Sequence, residues 1–129
     1  MVELPVSTAD WKTEKHAPVI ELLGAAKKSE PVKVNVSVGK QIPHPNTTEH
    51  HIAWIHVYFI PEGEKFPVEL AKLEFTCHGA SAKGPNLSSV FTTPEGIVSF
   101  KTEKSGTLIA ISYCNIHGLW KATLDVKLE

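Results

Sequence analysis

The 129-residue chain contains no arginine: all thirteen basic residues are lysines, set against fourteen acidic ones for a formal net charge of −1. A chain without the forked guanidinium donor that reads phosphates and guanine edges, and without excess charge, is not expected to bind nucleic acid. No apolar run approaches the roughly 20 residues of a membrane helix, so no membrane partner is expected either. The first 21 residues lack a basic segment leading into an apolar one, hence no signal peptide is expected, and the cytoplasm is the expected location. There are only two cysteines, Cys77 and Cys114. In a reducing compartment a disulfide between them would be unusual. Repeats and low-complexity segments are also missing, and the only methionine is Met1.

What the chain does have is alternation. In "PVKVNVSVGK" Val32, Val34, Val36 and Val38 share one face, with Lys33, Asn35 and Ser37 on the other. In "WKATLDVKLE" Trp120, Ala122, Leu124, Val126 and Leu128 alternate with Lys121, Thr123, Asp125 and Lys127. A period of two is that of a strand with one face in the core and one in water. Further strands are predicted over 51–60, 68–76, 89–93, 96–102 and 107–114, separated by turn signals at 61–64, 84–86, 94–96 and 105–106. Only 19–28 has the pattern of a helical turn, interrupted by Gly24. The expected fold is all-β, an immunoglobulin-like β-sandwich of about seven strands in a single domain over 1–129, with a small closed barrel as the competing architecture.

Seven histidines are a surplus, and most fall in three clusters: "EKH" at 14–16, "HPNTTEHH" at 44–51 and "CNIH" at 114–117. A single histidine is usually a surface or core residue satisfied by a hydrogen bond. Adjacent His50 and His51 open a strand and leave on opposite faces, so only one serves a given site and the other is expected at the surface. His56 lies roughly 20 Å beyond His50 at ~3.3 Å per residue and is expected to be a packing or supporting residue. Cys114 and His117, three apart where a strand enters a turn, can converge on one ion. A Cys–His nucleophile oriented by Asn115 or Asn46 is the alternative, but it leaves three histidines without a role. Cys77, followed by His78, has no other partner at metal-ligand spacing and is expected to be a buried, inert thiol.

Imidazoles and one thiolate suit a divalent transition metal. Blue-copper sites on β-sandwiches add an axial methionine, which nothing near His117 supplies. Structural zinc takes a closed set of four. Five candidates, His16, His44, His50, Cys114 and His117, together with Glu14 exceed that number and point to the larger, more open shell of iron. The stretches "EKHAPVIE", "HPNTTEHHIAWI", "HGASAKGPN" and "SYCNIHGLW" resemble the superoxide reductases of the single-iron (neelaredoxin) class, relatives of the C-terminal domain of desulfoferrodoxin. The resemblance implies one-electron reduction of superoxide to hydrogen peroxide at a mononuclear non-haem iron cycling between Fe2+ and Fe3+. It implies His16, His44, His50 and His117 around the metal, Cys114 as axial thiolate, and Glu14 closing the sixth position in the ferric state. Lys15 would sit beside that position, its positive field helped by Lys12 and Lys40. It further implies rubredoxin or a similar electron donor, a homotetramer, and no Cys-rich N-terminal desulforedoxin-like domain. The thiolate would be tuned by a backbone N–H of Ile116 or His117. A cupredoxin-like electron-transfer protein, and superoxide dismutation or sensing at the same iron, are the alternative readings.

Overall fold

A computed structural model describes residues 2–129. The described residues form eight strands: β1 (Val6–Ser7), β2 (Pro18–Leu22), β3 (Val32–Val38), β4 (Ile52–Pro61), β5 (Val68–Glu74), β6 (Glu95–Phe100), β7 (Gly106–Cys114) and β8 (Gly118–Val126). They make a sandwich of two sheets, one ordered β1-β8-β7-β4-β5 and the other β2-β3-β6. β1 runs parallel to β8, and every other pairing is antiparallel. Among the described residues no helix is long and apolar enough to cross a membrane.

The alternation read from the sequence builds the core. Val32, Val34, Val36 and Val38 of β3, with Val98 of β6, pack against Ile55, Val57 and Phe59 of β4 and Leu108 and Ala110 of β7. Removing a side chain of this size from water contributes about 1.5–3 kcal/mol, so this shared layer holds the two sheets together. Ser37, assigned by alternation to the water face of β3, is buried as well.

Two expected elements differ. Residues 19–28 hold no helical turn: Pro18–Leu22 pairs along β3, and the strand gives way at Gly24, whose φ of +111° suits glycine. Residues 89–93 form no strand; only Phe91 makes an isolated bridge, to His78, and Val90 and Phe91 stay exposed. Apolar residues without a neighbouring strand to pair with do not make a sheet.

The topology brings three sequence-distant segments together. Pro18 at the start of β2 pairs with Val38 at the end of β3, and Ile52 at the start of β4 pairs with Cys114 at the end of β7. The residues preceding β2, the 39–51 loop between β3 and β4, and the β7–β8 hairpin therefore lie at one end of the sandwich.

Candidate metal centre

The β7–β8 hairpin places the first two groups. Cys114 pairs with Gly118, leaving Asn115, Ile116 and His117 as a three-residue loop. Gly118 closes it at a φ of +81°, the left-handed position that such loops require. The tight turn folds the His117 N–H back onto Cys114 Sγ at 3.3 Å and holds His117 Nδ1 at 3.9 Å from the same sulfur. The expected backbone donor to the sulfur is thus His117. Cys114 is fully buried and His117 exposed, so the pair spans from core to surface.

His16 arrives from the segment before β2. Its carbonyl accepts the buried Ser112 hydroxyl of β7 at 3.2 Å, and its ring stacks on Trp120 of β8 with centroids 4.9 Å apart. Glu14 Oε1 accepts both the His16 backbone N–H at 2.9 Å and Nδ1–H at 2.7 Å. That bond fixes the tautomer and turns His16 Nε2 toward His117 Nδ1, 3.1 Å away. Burial raises the Glu14 pKa, but the His16 N–H groups and its ring outweigh this and leave it below the usual carboxylate range.

His44 and His50 come from the 39–51 loop. Gly39 has a φ of +91°, and a Cβ there would stand 2.9 Å from the His44 backbone nitrogen, so only glycine lets the loop close this tightly. His44 Nδ1–H donates to the Pro45 carbonyl at 2.7 Å. The loop around His50 is tied by His50 N–H to Thr47 Oγ1 at 3.0 Å and Thr47 N–H to the His50 carbonyl at 2.9 Å. The two rings lie 4.7 Å apart, each beside His16.

The donor set fits one metal ion. Ligand atoms of His16, His50, Cys114 and His117 all lie within 4.8 Å of one another. With metal–nitrogen bonds of about 2.1 Å, ligands at right angles stand about 3 Å apart, as His16 Nε2 and His117 Nδ1 do. Nε2 of His44 and of His50 are both buried without a hydrogen-bond partner. Two orphaned imidazole nitrogens at one place are costly unless they coordinate something. His44 stands outside the four-residue set, its ring against His16 and His50. Burial, opposed by the Pro45 carbonyl and aided by positive neighbours, lowers its pKa to about 4. Burial, followed by the charges of His117, His16 and Lys15, lowers that of His50. Both rings are neutral near pH 7, the form that ligates. Glu14 faces His16 from outside the cluster, and Lys15 is close enough to act on both loop histidines.

The remaining histidines stand apart. His51 lies outside the four-residue set, yet it is not a free surface residue: it stacks flat on His78 at 3.6 Å and its Nδ1 bonds the Thr47 carbonyl. His56 packs on Trp54. Cys77 is half-buried rather than buried: Val90 and Thr92 lie against it, with Sγ 3.1 Å from the Val90 carbonyl, but they do not enclose it. Sequence reasoning gave Ser112 no role, placed Trp120 only on the apolar face of its strand and considered Asn115 only as the orienting partner of a nucleophile; all three brace the segments that carry the candidate ligands. Ser112 had a signal: it occupies an inward position between Ala110 and Cys114, where a polar group must have a partner.

Residues 8–123 match the family model described as desulfoferrodoxin. The chain is 54% identical over 129 residues to a superoxide reductase of Pyrococcus furiosus, covering 100% of both chains. It is 52% identical over 122 residues to a neelaredoxin of Megalodesulfovibrio gigas, covering 95% of this chain and 94% of that one. The solved structure of superoxide reductase (neelaredoxin) from Archaeoglobus fulgidus in the reduced form matches with a TM-score of 0.90 at 59% identity, covering 95% of this chain and 98% of that one.

Proposed function

The chain belongs to the desulfoferrodoxin family, and on that footing we propose that it is a superoxide reductase with a single iron held by His16, His44, His50, His117 and Cys114. The observation that carries this reading is the convergence of His16, His50, Cys114 and His117 within 4.8 Å, with the orphaned His44 and His50 nitrogens beside them. The reaction adds one electron and two protons to superoxide, giving hydrogen peroxide and no dioxygen. When bound, iron supplies the electron and a Lewis-acidic position for the small anion.

The chain's own groups account for the rest. Four neutral imidazoles and one thiolate carry a single negative charge, which leaves a divalent site net positive and attractive to an anion. The His117 N–H stabilises the Cys114 thiolate and moderates its donor strength. His117 lies at the exposed rim, so substrate and product exchange with solvent directly. Lys15 adds positive potential beside the loop histidines, raising the encounter rate and offering a proton to the product. Glu14 has two tasks in this reading: its carboxylate fixes His16 through Nδ1–H, and, freed from that bond, it would be a further oxygen ligand to the oxidised iron.

The same proposal includes one iron domain over 1–129, a cytoplasmic location, and rubredoxin or a similar protein as donor. The exposure of His117 and Ile116 supports electron entry at the rim. Assembly as a homotetramer is supported by Val2 and Leu4, apolar residues left in water beside β1. The test is a balance of products: with a reductant present, the protein yields one hydrogen peroxide for each superoxide consumed. Dioxygen evolution with half that peroxide would make it a dismutase and overturn the reading.

A further inference from the structure

The regular β4–β7 ladder ends where Ile52 pairs with Cys114. One more backbone bond follows, Asn115 N–H to the His51 carbonyl at 3.2 Å. Beyond it the Asn115 carboxamide continues the ladder as a surrogate peptide. Its Oδ1 accepts the His51 N–H at 2.8 Å, and its Nδ2–H donates to the Glu49 carbonyl at 2.9 Å. Those two groups belong to the two peptide units that flank His50. One side chain therefore grips the backbone on both sides of a candidate ligand, and that side chain belongs to the residue directly after Cys114.

Other bonds brace the same loop without reaching the cysteine. Asn86 Oδ1 accepts the Thr48 N–H at 2.8 Å and its Nδ2 donates to both Glu49 carboxylate oxygens at 3.0 Å. Thr47 bonds His50 from within the loop. These fix the loop's shape. Asn115 fixes its position against the Cys114–His117 turn, and the 39–51 loop contains no strand or helix that would do so instead.

We infer that Asn115 is a positioning residue that sets His50 against Cys114 before metal arrives, so that the ion meets a preformed site. The inference rests on the proposed function only in taking the histidine–thiolate cluster as a metal site. The geometry also says which replacements matter. Asn115→Ala loses both side-chain bonds. Asn115→Asp keeps the acceptor for His51 N–H but sets a carboxylate oxygen against the Glu49 carbonyl, where two acceptors repel.

The test compares Fe2+ affinity under anaerobic conditions, by competition with a chelator, in the full-length wild type and in Asn115→Ala, Asn115→Asp and Asn86→Ala. The visible thiolate-to-iron band of each oxidised, iron-loaded protein and the melting temperature of each metal-free protein are recorded alongside. The expected result is an affinity loss of about 10–100-fold for Asn115→Ala, the range for residues that orient ligands, with a displaced band. Asn115→Asp should fall between Asn115→Ala and wild type. Asn86→Ala should lose melting temperature while its affinity and band stay at the wild-type values. Wild-type affinity and an unmoved band in Asn115→Ala would overturn the inference. So would equal affinity losses in the Asn115 and Asn86 variants, which would mean general loosening. Should Asn115→Ala fail to fold, Asn115→Asp decides alone: wild-type affinity and band in it would overturn the inference. Because these readouts are metal affinity and spectrum, a wild type that binds iron without reducing superoxide would defeat the proposed function and leave this result intact.

Discussion

Two cysteine–histidine pairs sit at the ends of paired segments in this molecule, Cys114 with His117 and Cys77 with His78, and their surroundings are opposite. Cys114 Sγ faces a donor, the His117 N–H at 3.3 Å, and is fully buried. Cys77 Sγ faces an acceptor, the Val90 carbonyl at 3.1 Å, and is half-buried. A sulfur opposite a carbonyl uses its S–H as donor, whereas one opposite an N–H acts as acceptor, the role it also plays toward a metal. The histidines repeat the contrast. His78 has oxygens at both ring nitrogens, Asn46 Oδ1 at 2.8 Å and the Phe75 carbonyl at 2.6 Å, so neither nitrogen is open to a metal. His44 and His50 keep a buried Nε2 that bonds nothing. Identical residue types become candidate ligands or bystanders according to which of their atoms the fold leaves unbonded.

Serine substitution at each cysteine should break this contrast most severely. Cys114→Ser should abolish superoxide reduction and the thiolate-to-iron band. Cys77→Ser should retain both, as read by peroxide yield and visible absorption. The adjacent histidines come next. His50→Ala should lose its iron on anaerobic metal analysis. His51→Ala should keep iron and activity, with a lower melting temperature from the lost stack on His78. Iron loss as complete in His51→Ala as in His50→Ala would end the assignment of the two rings to different faces. The smallest effect belongs to charge. Lys15→Ala should slow the reaction with superoxide by up to about tenfold at low ionic strength and flatten its dependence on salt. An unchanged second-order rate at low salt would remove Lys15 from the encounter.

Local pattern carried the strands that pair along their full length. The Val32–Val38 alternation became β3, and the apolar face of 120–128 became most of β8, because period-two sequences have one good solution beside a core. The helical turn over 19–28 and the strand over 89–93 depended on long-range pairing, which no local window contains. The site divided in the same way. Cys114 and His117 are joined by one tight turn and were visible from spacing alone. His16, His44 and His50 reach them through the β2–β3 and β4–β7 pairings, so the sequence offered them as a surplus of clustered histidines, and their places around one ion came only from the resemblance to a known family. The hydrogen bonds of Asn115 across to residues 49 and 51 had no sequence signal, since any hairpin loop favours asparagine.

The central claim is that Cys114 and four histidines hold one iron while Cys77 and His78 hold nothing. Metal analysis and the visible spectrum of the oxidised Cys77→Ser protein test it most directly. The expected result is about one iron per chain with the thiolate-to-ferric charge-transfer band intact. Copper or zinc at that stoichiometry, or a band that vanishes with Cys77, would contradict it.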